Sequence, residues 1–474
     1  MLIVYDNARL SMAEKKYKKA LFIFRRDLRL NDNKGLRAAL SESQIVIPCF
    51  ILDLRQVGKA NAYRSANAIQ FMIESLEDLA SQLAAKKGRL YIFHGNAQDV
   101  VKKLIKNQKV DAVFFNRDYT PFSIARDKAI QKACAAHDVP CIESPDALLN
   151  EPEDVKTGSG KPYSIYTPFY KYCAKHCPVE KPFSLRLNNF YSKSIPLAET
   201  PKSIFKKILP HENKDLHVHG GSHNGQKILH GLKKFKNYLK ERDIPALEAT
   251  TNLSAHLKFG SVSVREVADA IKHHLGPHHP LIRQLYWRDF FYHIAFHTPS
   301  VFGHAYHKKY DRLWWSKSKA DFKKWCNGET GFPIVDAGMR QLNETGYMHN
   351  RLRMIVASFL TKDLHINWQW GEKYFAQQLV DYDPAINNGN WQWSASTGAD
   401  AQPYFRIFNP WTQQKKFDPH CAYIKRWVPQ LANIDPKIIH NWFKETSPAI
   451  KGYPRPMVDH DAERKTALKA YKAA

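Results

Sequence analysis

Short runs rich in β-branched and aromatic residues alternate with longer amphipathic stretches from residue 21 onward. LFIF at 21–24, IVIPCFIL at 45–52, LYIFHG at 90–95 and DAVFFN at 111–116 have the composition of buried strands. NAYRSANAIQFMIESLEDLASQLAAK at 61–86 and PFSIARDKAIQKACAAH at 121–137 carry helical periodicity. This alternation predicts a doubly wound parallel sheet over residues 20–150. Residues 151–215 are rich in Pro, Ser and Lys with weak periodicity, and predict a long connection over the surface. From about residue 216 the strand signal fades. VREVADAIKHHL at 264–275, LIRQLYWRDFFYHIAF at 281–296, AGMRQLNETGYMHNRLRMIVASFLTKDL at 337–364 and GEKYFAQQLV at 371–380 predict an all-helical domain over 216–474. The expected architecture is α/β followed by all-α, preceded by an extension over residues 1–19.

Length agrees, since 474 residues suit two domains better than one core. No apolar run approaches the roughly 18 residues that would span a membrane. The N-terminus MLIVYDNARLSMAEKKYKKA turns charged after a short apolar start and lacks the regions of a secretory signal. Seven scattered cysteines, an odd number, fit a reducing, cytoplasmic setting and not a disulfide framework. Cys173, His176 and Cys177 in KYCAKHC match no usual zinc spacing, so no metal is expected. The histidine-rich stretch at 211–226 reads as a solvated segment.

Charge changes the picture more. Lysine and arginine total 71 against 45 acids, a net charge of +26 and a pI near 9.6. Neutralising phosphates releases counterions, so this excess favours a nucleic-acid partner over a neutral one. Eleven tryptophans add to that, because indoles stack on bases. The sheet region carries neither G-x-G-x-x-G nor G-x-x-x-x-G-K-[ST], so the usual nucleotide fingerprints are absent.

Candidate chemistry gathers in the helical half. NNGNWQW at 387–393 follows DYDPAI at 381–386, crowding amides and indoles beside two acids. A core would avoid so many polar groups, and a surface would avoid the indoles. Gln284 and Trp287, three residues apart, share a helical face, as do Asn350 and Met354, four apart. Each pair joins a hydrogen-bonding group to a flat or soft apolar one, which suits a pocket reading a heteroaromatic ring. Taken alone, each pair is more simply the polar edge of an amphipathic helix.

RRDLRLNDN at 25–33, TTNLSAHLKFG at 250–260, QLYWRDFF at 284–291, TGYMHNRLRM at 345–354, DYDPAINNGNWQW and PYFRIFNP at 403–410 together resemble the DNA photolyase and cryptochrome family. The matches run in order over nearly the whole chain, and HNRLRM and WQWSASTG resemble the class I cyclobutane pyrimidine dimer photolyases. The resemblance implies an α/β domain for a light-harvesting antenna and a helical domain holding FAD. It further implies UV-damaged DNA as partner, a flipped-out dimer as substrate, and light-driven electron transfer from reduced flavin as the chemistry. A monomer is expected.

Residue by residue, the family's phosphate grip falls on Tyr238, Thr250, Thr251, Asn252, Leu253 and Ser254. Asp381 and Asp383 match acids near the flavin and ribose, Arg353 the partner of the first, and Asn387 the asparagine facing the flavin N5. Trp391, Trp368 and Trp315 match the family's electron relay, while Trp287 and Trp393 match the indoles flanking the lesion. Arg242 and Arg351 match DNA-contacting arginines. Two positions depart from the pattern. Gln284 stands where class I enzymes carry glutamate and where (6-4) photolyases and animal cryptochromes carry glutamine. A (6-4) photolyase and a cryptochrome-type photoreceptor are therefore the alternatives, disfavoured by Asn350 and by the short C-terminal tail. Thr120 replaces the glutamate of folate-binding relatives, leaving the antenna open between methenyltetrahydrofolate and a deazaflavin or flavin.

Overall fold

A computed structural model describes residues 15–444, 446 and 449–474. Residues 1–14 of the expected extension lie outside that range, and Tyr17 already opens the first strand. The strands are β1 Tyr17–Phe24, β2 Ser43–Leu52, β3 Tyr91–His94, β4 Ala112–Asn116 and β5 Cys141–Ser144. They form one parallel sheet in the order β3-β2-β1-β4-β5. β1 shows why its sequence is apolar throughout. Ala20, Phe22 and Phe24 face helices Lys34–Glu42 and Ala66–Ala85, while Leu21 and Ile23 face helices Ala97–Gln108 and Pro121–Ala135. With both faces covered, alternation disappears and a continuous hydrophobic run remains. The chain winds outward from β1 to β3, then crosses back to β4 and β5. This leaves a crevice at the carboxyl ends of β1, β2 and β4, where ligands of such sheets bind.

The segment 151–215 is more structured than its composition suggests. It holds helices Tyr166–His176 and Pro201–Ile208. Phe190, Ile204, Phe205 and Ile208 complete one face of the sheet core, and Phe190 bridges to Val46 beside β1. Tyr166, Phe169 and Cys173 pack into the helical half. The prolines and lysines mask apolar anchors spaced too irregularly to read as a period. Cys173 and His176 sit on one helix and Cys177 follows its end, and no cluster of three or more candidate metal ligands occurs among the described residues. No described helix is long and apolar enough to cross a membrane.

The remainder is helical around two cores, one built on helices Val264–Leu275 and Leu281–His297, the other on Pro333–Thr345, Asn350–Ser358 and Trp368–Gln378. The run at 337–364 is broken, not continuous. Gly346 takes φ +66 and closes the helix Pro333–Thr345, and the His349 side chain accepts from the Arg351 N–H to start the next. The last turn, Phe359–Asp363, is π-helical. Buried ion pairs tie the two halves together through Arg265, which reaches Asp32 (2.9 Å) and Asp146 (2.7 Å), the latter also held by Arg29 (2.6 Å).

Candidate active site

Between the two helical cores lies a cavity of about 800 Å³. Its walls collect most of the residues singled out above: Tyr238, Arg242, the 250–254 loop, Gln284, Trp287, Asn350, Arg353, Met354, Asp381, Asp383, Asn387, Trp391 and Trp393. Arg351, Trp368 and Trp315 lie outside its lining.

One end of the cavity is polar. Asn252 takes a left-handed φ of +56, which folds the 250–253 loop back before helix Ser254–Phe259. The Thr250 hydroxyl lies 3.4 Å from the Tyr347 hydroxyl, and Ser254 Oγ donates to Asp381 (2.6 Å). Asp381 also receives Arg353 through Nη1 (3.2 Å) and Nη2 (3.0 Å). Burial alone would lower the Arg353 guanidinium, but the Asp381 charge beside it wins and raises it. Such a fixed fork of charge-assisted bonds orients whatever lies against it.

Asp383 reaches the cavity but has work elsewhere too. Its Oδ1 caps helix Pro384–Ser394 by accepting from Ala385 and Ile386 N–H. Its Oδ2 accepts from the Tyr292 hydroxyl (2.5 Å) and from Arg26, at the end of β1. Burial works against this charge, yet Arg26 and Lys258 hold the carboxyl below its usual range. On the same helix Asn387 donates Nδ2 to the Glu372 carbonyl (3.0 Å), leaving its Oδ1 without a partner among the described residues. Asn388 turns away to Glu372 Oε1 (3.1 Å) and the Val301 carbonyl (2.9 Å). The crowded amides of 387–393 thus divide: Asn387 serves the cavity, and Asn388 holds its wall.

The indoles divide as well. Trp391 is buried at 3% exposure over Gly371, where a Cβ would meet its ring at 2.1 Å. Trp368, at 4%, begins the Gly371 helix, and Trp315 is half-buried against the same core. Ser316, next to Trp315, bonds the His365 carbonyl and pairs with Ile366, two residues before Trp368. Trp287 stacks on Tyr166 at 3.6 Å and 8°, so one face of its ring is already covered. Trp393 is half-buried in the same lining. Asn350 Nδ2 lies 3.7 Å from Met354 Sδ, confirming a shared face, and Gln284 is exposed at the cavity's mouth. Arg351 pairs with Asp243 (2.9 Å) and lies over Phe417 (4.3 Å).

Sequence reading missed Arg26, Tyr347 and Tyr382. All three lie inside quoted motifs, but only the long-range partners Asp383 and Thr250 reveal the part of the first two. Tyr382 lines both this cavity and a second one of about 200 Å³ at the carboxyl ends of β1, β2 and β4. Thr120 lines the second cavity, accepting from the Ser123 N–H as a helix cap. So do Arg126, whose buried Nη2 has no partner, and Lys258, pushed down to about 8 by burial.

A parallel-sheet unit and a helical unit, with a large cavity polar at one end, define a two-domain class of ligand-binding protein. The family model for DNA photolyase matches residues 20–185, and that for the FAD binding domain of DNA photolyase matches residues 281–473. A deoxyribodipyrimidine photo-lyase of Agrobacterium fabrum is 38% identical over 468 residues, 95% of this chain and 97% of that protein. The crystal structure of an archaeal photolyase from Sulfolobus tokodaii with two FAD molecules aligns at TM-score 0.87 and 42% identity. It covers 96% of this chain and 100% of that one. A class III photolyase from Agrobacterium tumefaciens aligns at TM-score 0.89 and 37% identity, covering 98% and 99%. The chain belongs to the DNA photolyase family. Its cofactor is FAD. This similarity to a class III photolyase stands beside the class I likeness of HNRLRM and WQWSASTG.

The larger cavity fits that cofactor. Hydroxyls and a folded-back loop at 250–254 suit a pyrophosphate, the unpartnered Asn387 Oδ1 suits a ring N–H, and apolar Phe375, Trp391 and Ala357 suit the ring faces.

Proposed function

We propose that this protein splits cyclobutane pyrimidine dimers in DNA when illuminated. Bound and reduced, FAD supplies one electron under blue light and takes it back. The protein supplies position. The 250–254 loop and the Arg353–Asp381 pair hold the cofactor's polar end, and Asn387 meets its ring edge. Trp287 and Trp393 flank the flipped bases, while Gln284, Asn350 and Met354 read their edges and faces. The observation that carries this reading is the single cavity bringing the polar cradle and the lesion-reading set together.

Trp391, Trp368 and Trp315 lead from the cavity to the surface, with one core packing all three. We infer that they pass electrons inward to restore the reduced cofactor. The second cavity takes the antenna chromophore. Its unpartnered Arg126 Nη2 and half-buried Lys258 favour an anionic ligand, and Thr120, in place of the glutamate of folate-binding relatives, favours a flavin type over a folate. The protein acts as a monomer on DNA in the cytoplasm, its buried thiols unlinked.

A (6-4) photolyase is the second reading, and Gln284 is the observation that favours it. The test illuminates the FAD-loaded, reduced protein with oligonucleotides carrying one defined lesion. Repair of the cyclobutane dimer alone is expected. Repair of the (6-4) product alone transfers the assignment, and binding without repair of either makes the protein a photoreceptor.

A further inference from the structure

We propose that Trp314 ends the electron relay at a basic surface patch that receives small anionic one-electron donors. The inference rests on the relay reading and concerns what that reading leaves open, namely where the electron enters the protein.

Trp314 is 69% exposed, and its ring makes no aromatic or hydrogen-bonding contact among the described residues. A lone exposed indole is ordinary on a protein surface. Its position is what matters. Exposure rises from Trp391 (3%) and Trp368 (4%) to half-buried Trp315, and Trp314 is the next residue. Neighbouring Cα atoms lie about 3.8 Å apart, so the two indoles stay within short hopping range. A positive charge on an indole is costly in the dry core and is eased by water. An electron vacancy moving outward along this series therefore comes to rest on Trp314.

Charge supplies the second observation. HKKYDRLWWSKSK at 307–319 exposes Lys308, Lys309, Arg312, Lys317 and Lys319, none of them ion-paired among the described residues. The single acid in the stretch, Asp311, is turned to His304 (3.2 Å) and the Ala305 N–H (2.7 Å). A concentrated positive field raises the encounter rate of anions.

The step balances simply. With photoexcited oxidised flavin as the oxidant, Trp391 gives up one electron and the vacancy passes through Trp368 and Trp315 to Trp314. A thiolate then donates one electron to Trp314, restoring the indole and becoming a thiyl radical. Two such radicals join as a disulfide, so one thiolate is consumed per electron delivered and no bond to the protein forms.

The FAD-loaded protein is illuminated with mercaptoacetate, mercaptoethanol or mercaptoethylamine, which are anionic, neutral and cationic beyond the thiol. Loss of flavin absorbance is followed, and oxidised indoles are mapped by peptide mass after illumination without thiol. Compared at equal thiolate concentration, the anionic thiol is expected to be fastest, with an advantage that salt removes. Trp314→Phe is expected to slow it, because the vacancy then stops on half-buried Trp315. The preference for the anionic thiol, about tenfold on the scale of steered encounter, is expected to shrink with it. Lys317→Glu with Lys319→Glu should erase the preference while sparing the indole, and the oxidation product should map to Trp314. Equal rates for the three thiols, or an unchanged preference in Trp314→Phe with oxidation only at Trp315, overturn the proposal while leaving the inner relay standing. Unchanged photoreduction in Trp391→Phe instead removes the relay, and the proposal with it.

Discussion

Gln284 concentrates the substrate question in one side chain. It is exposed at the mouth of the cavity, three residues before Trp287 on the same helix face. A carboxylate there accepts only, whereas the amide keeps one acceptor for a thymine N3–H and adds two donors that reach a thymine O4. Gln284→Ala should weaken lesion binding or repair by about 1–3 kcal/mol, the cost of leaving buried polar groups unpaired. Gln284→Glu should remain active, and repair yield per photon measures both. Glu372, behind the cavity wall, carries a different signature. Burial pushes its carboxyl up to about 7, against the opposing Asn388 bond. The folded protein therefore holds this proton more tightly than the unfolded chain. The stability this provides is complete at acid pH and is lost as pH rises from about 4 to about 7. Glu372→Gln keeps an acceptor for Asn388 and removes the charge. It should raise the melting temperature at about pH 8, equivalent to about 1–3 kcal/mol, and leave it unchanged near pH 4.

At the level of elements, the packing of helix Pro384–Ser394 on helix Trp368–Gln378 sets the Trp391 position through Gly371. Gly371→Ala forces a methyl into the indole at 2.1 Å, so Trp391 must move or the helices must part. Overpacking of this kind costs about 1–3 kcal/mol. Photoreduction should slow in step with the displacement, as it should in Trp391→Phe, where the readily oxidised indole is gone. Transient absorption and chemical denaturation separate the two variants, because only Gly371→Ala should also lose stability. How much of these elements could be read in advance follows from where each residue finds its partner. β1, β2 and β4 were legible because burial on both faces leaves a plain apolar run. β5 was not, since CIES is four residues at a sheet edge, only partly covered. The helix at 337–364 read as continuous because Gly346 looks tolerable in a period of 3.6. Only the left-handed backbone there reveals the break that aims Arg353 and Met354 into the cavity. The motif residues of the site were legible through resemblance. Arg26 was not, because its partner Asp383 lies 357 residues away.

Across the whole molecule, a net charge of +26 has to be distributed before it can bind anything. Many of the arginines are spent on internal pairs, such as Arg29 and Arg265 with Asp146, and these neutralise no phosphate. The two arginines matched to DNA contact stand in different positions. Arg242 lines the cavity mouth, one-third exposed, with Asp243 only at 3.8 Å. Arg351 is 14% exposed, held by the same Asp243 at 2.9 Å and laid over Phe417. One acid therefore serves both, and it serves Arg351 better. An arginine already paired with a carboxylate must break that pair to take a phosphate, and it releases fewer counterions when it does. The slope of binding affinity against salt concentration counts those counterions directly, at about 0.9 per phosphate neutralised. Arg242→Ala should weaken dimer-containing and undamaged DNA alike and reduce the slope by about one. Arg351→Ala should change the slope by much less and show its effect in stability, through lost stacking on Phe417. Trp393→Ala should leave the slope untouched while removing about 1–3 kcal/mol of preference for the lesion. Fluorescence anisotropy titrations over a range of salt concentrations, with damaged and undamaged duplexes, resolve all three. Equal slope changes for Arg242→Ala and Arg351→Ala would show that Asp243 releases Arg351 when DNA arrives.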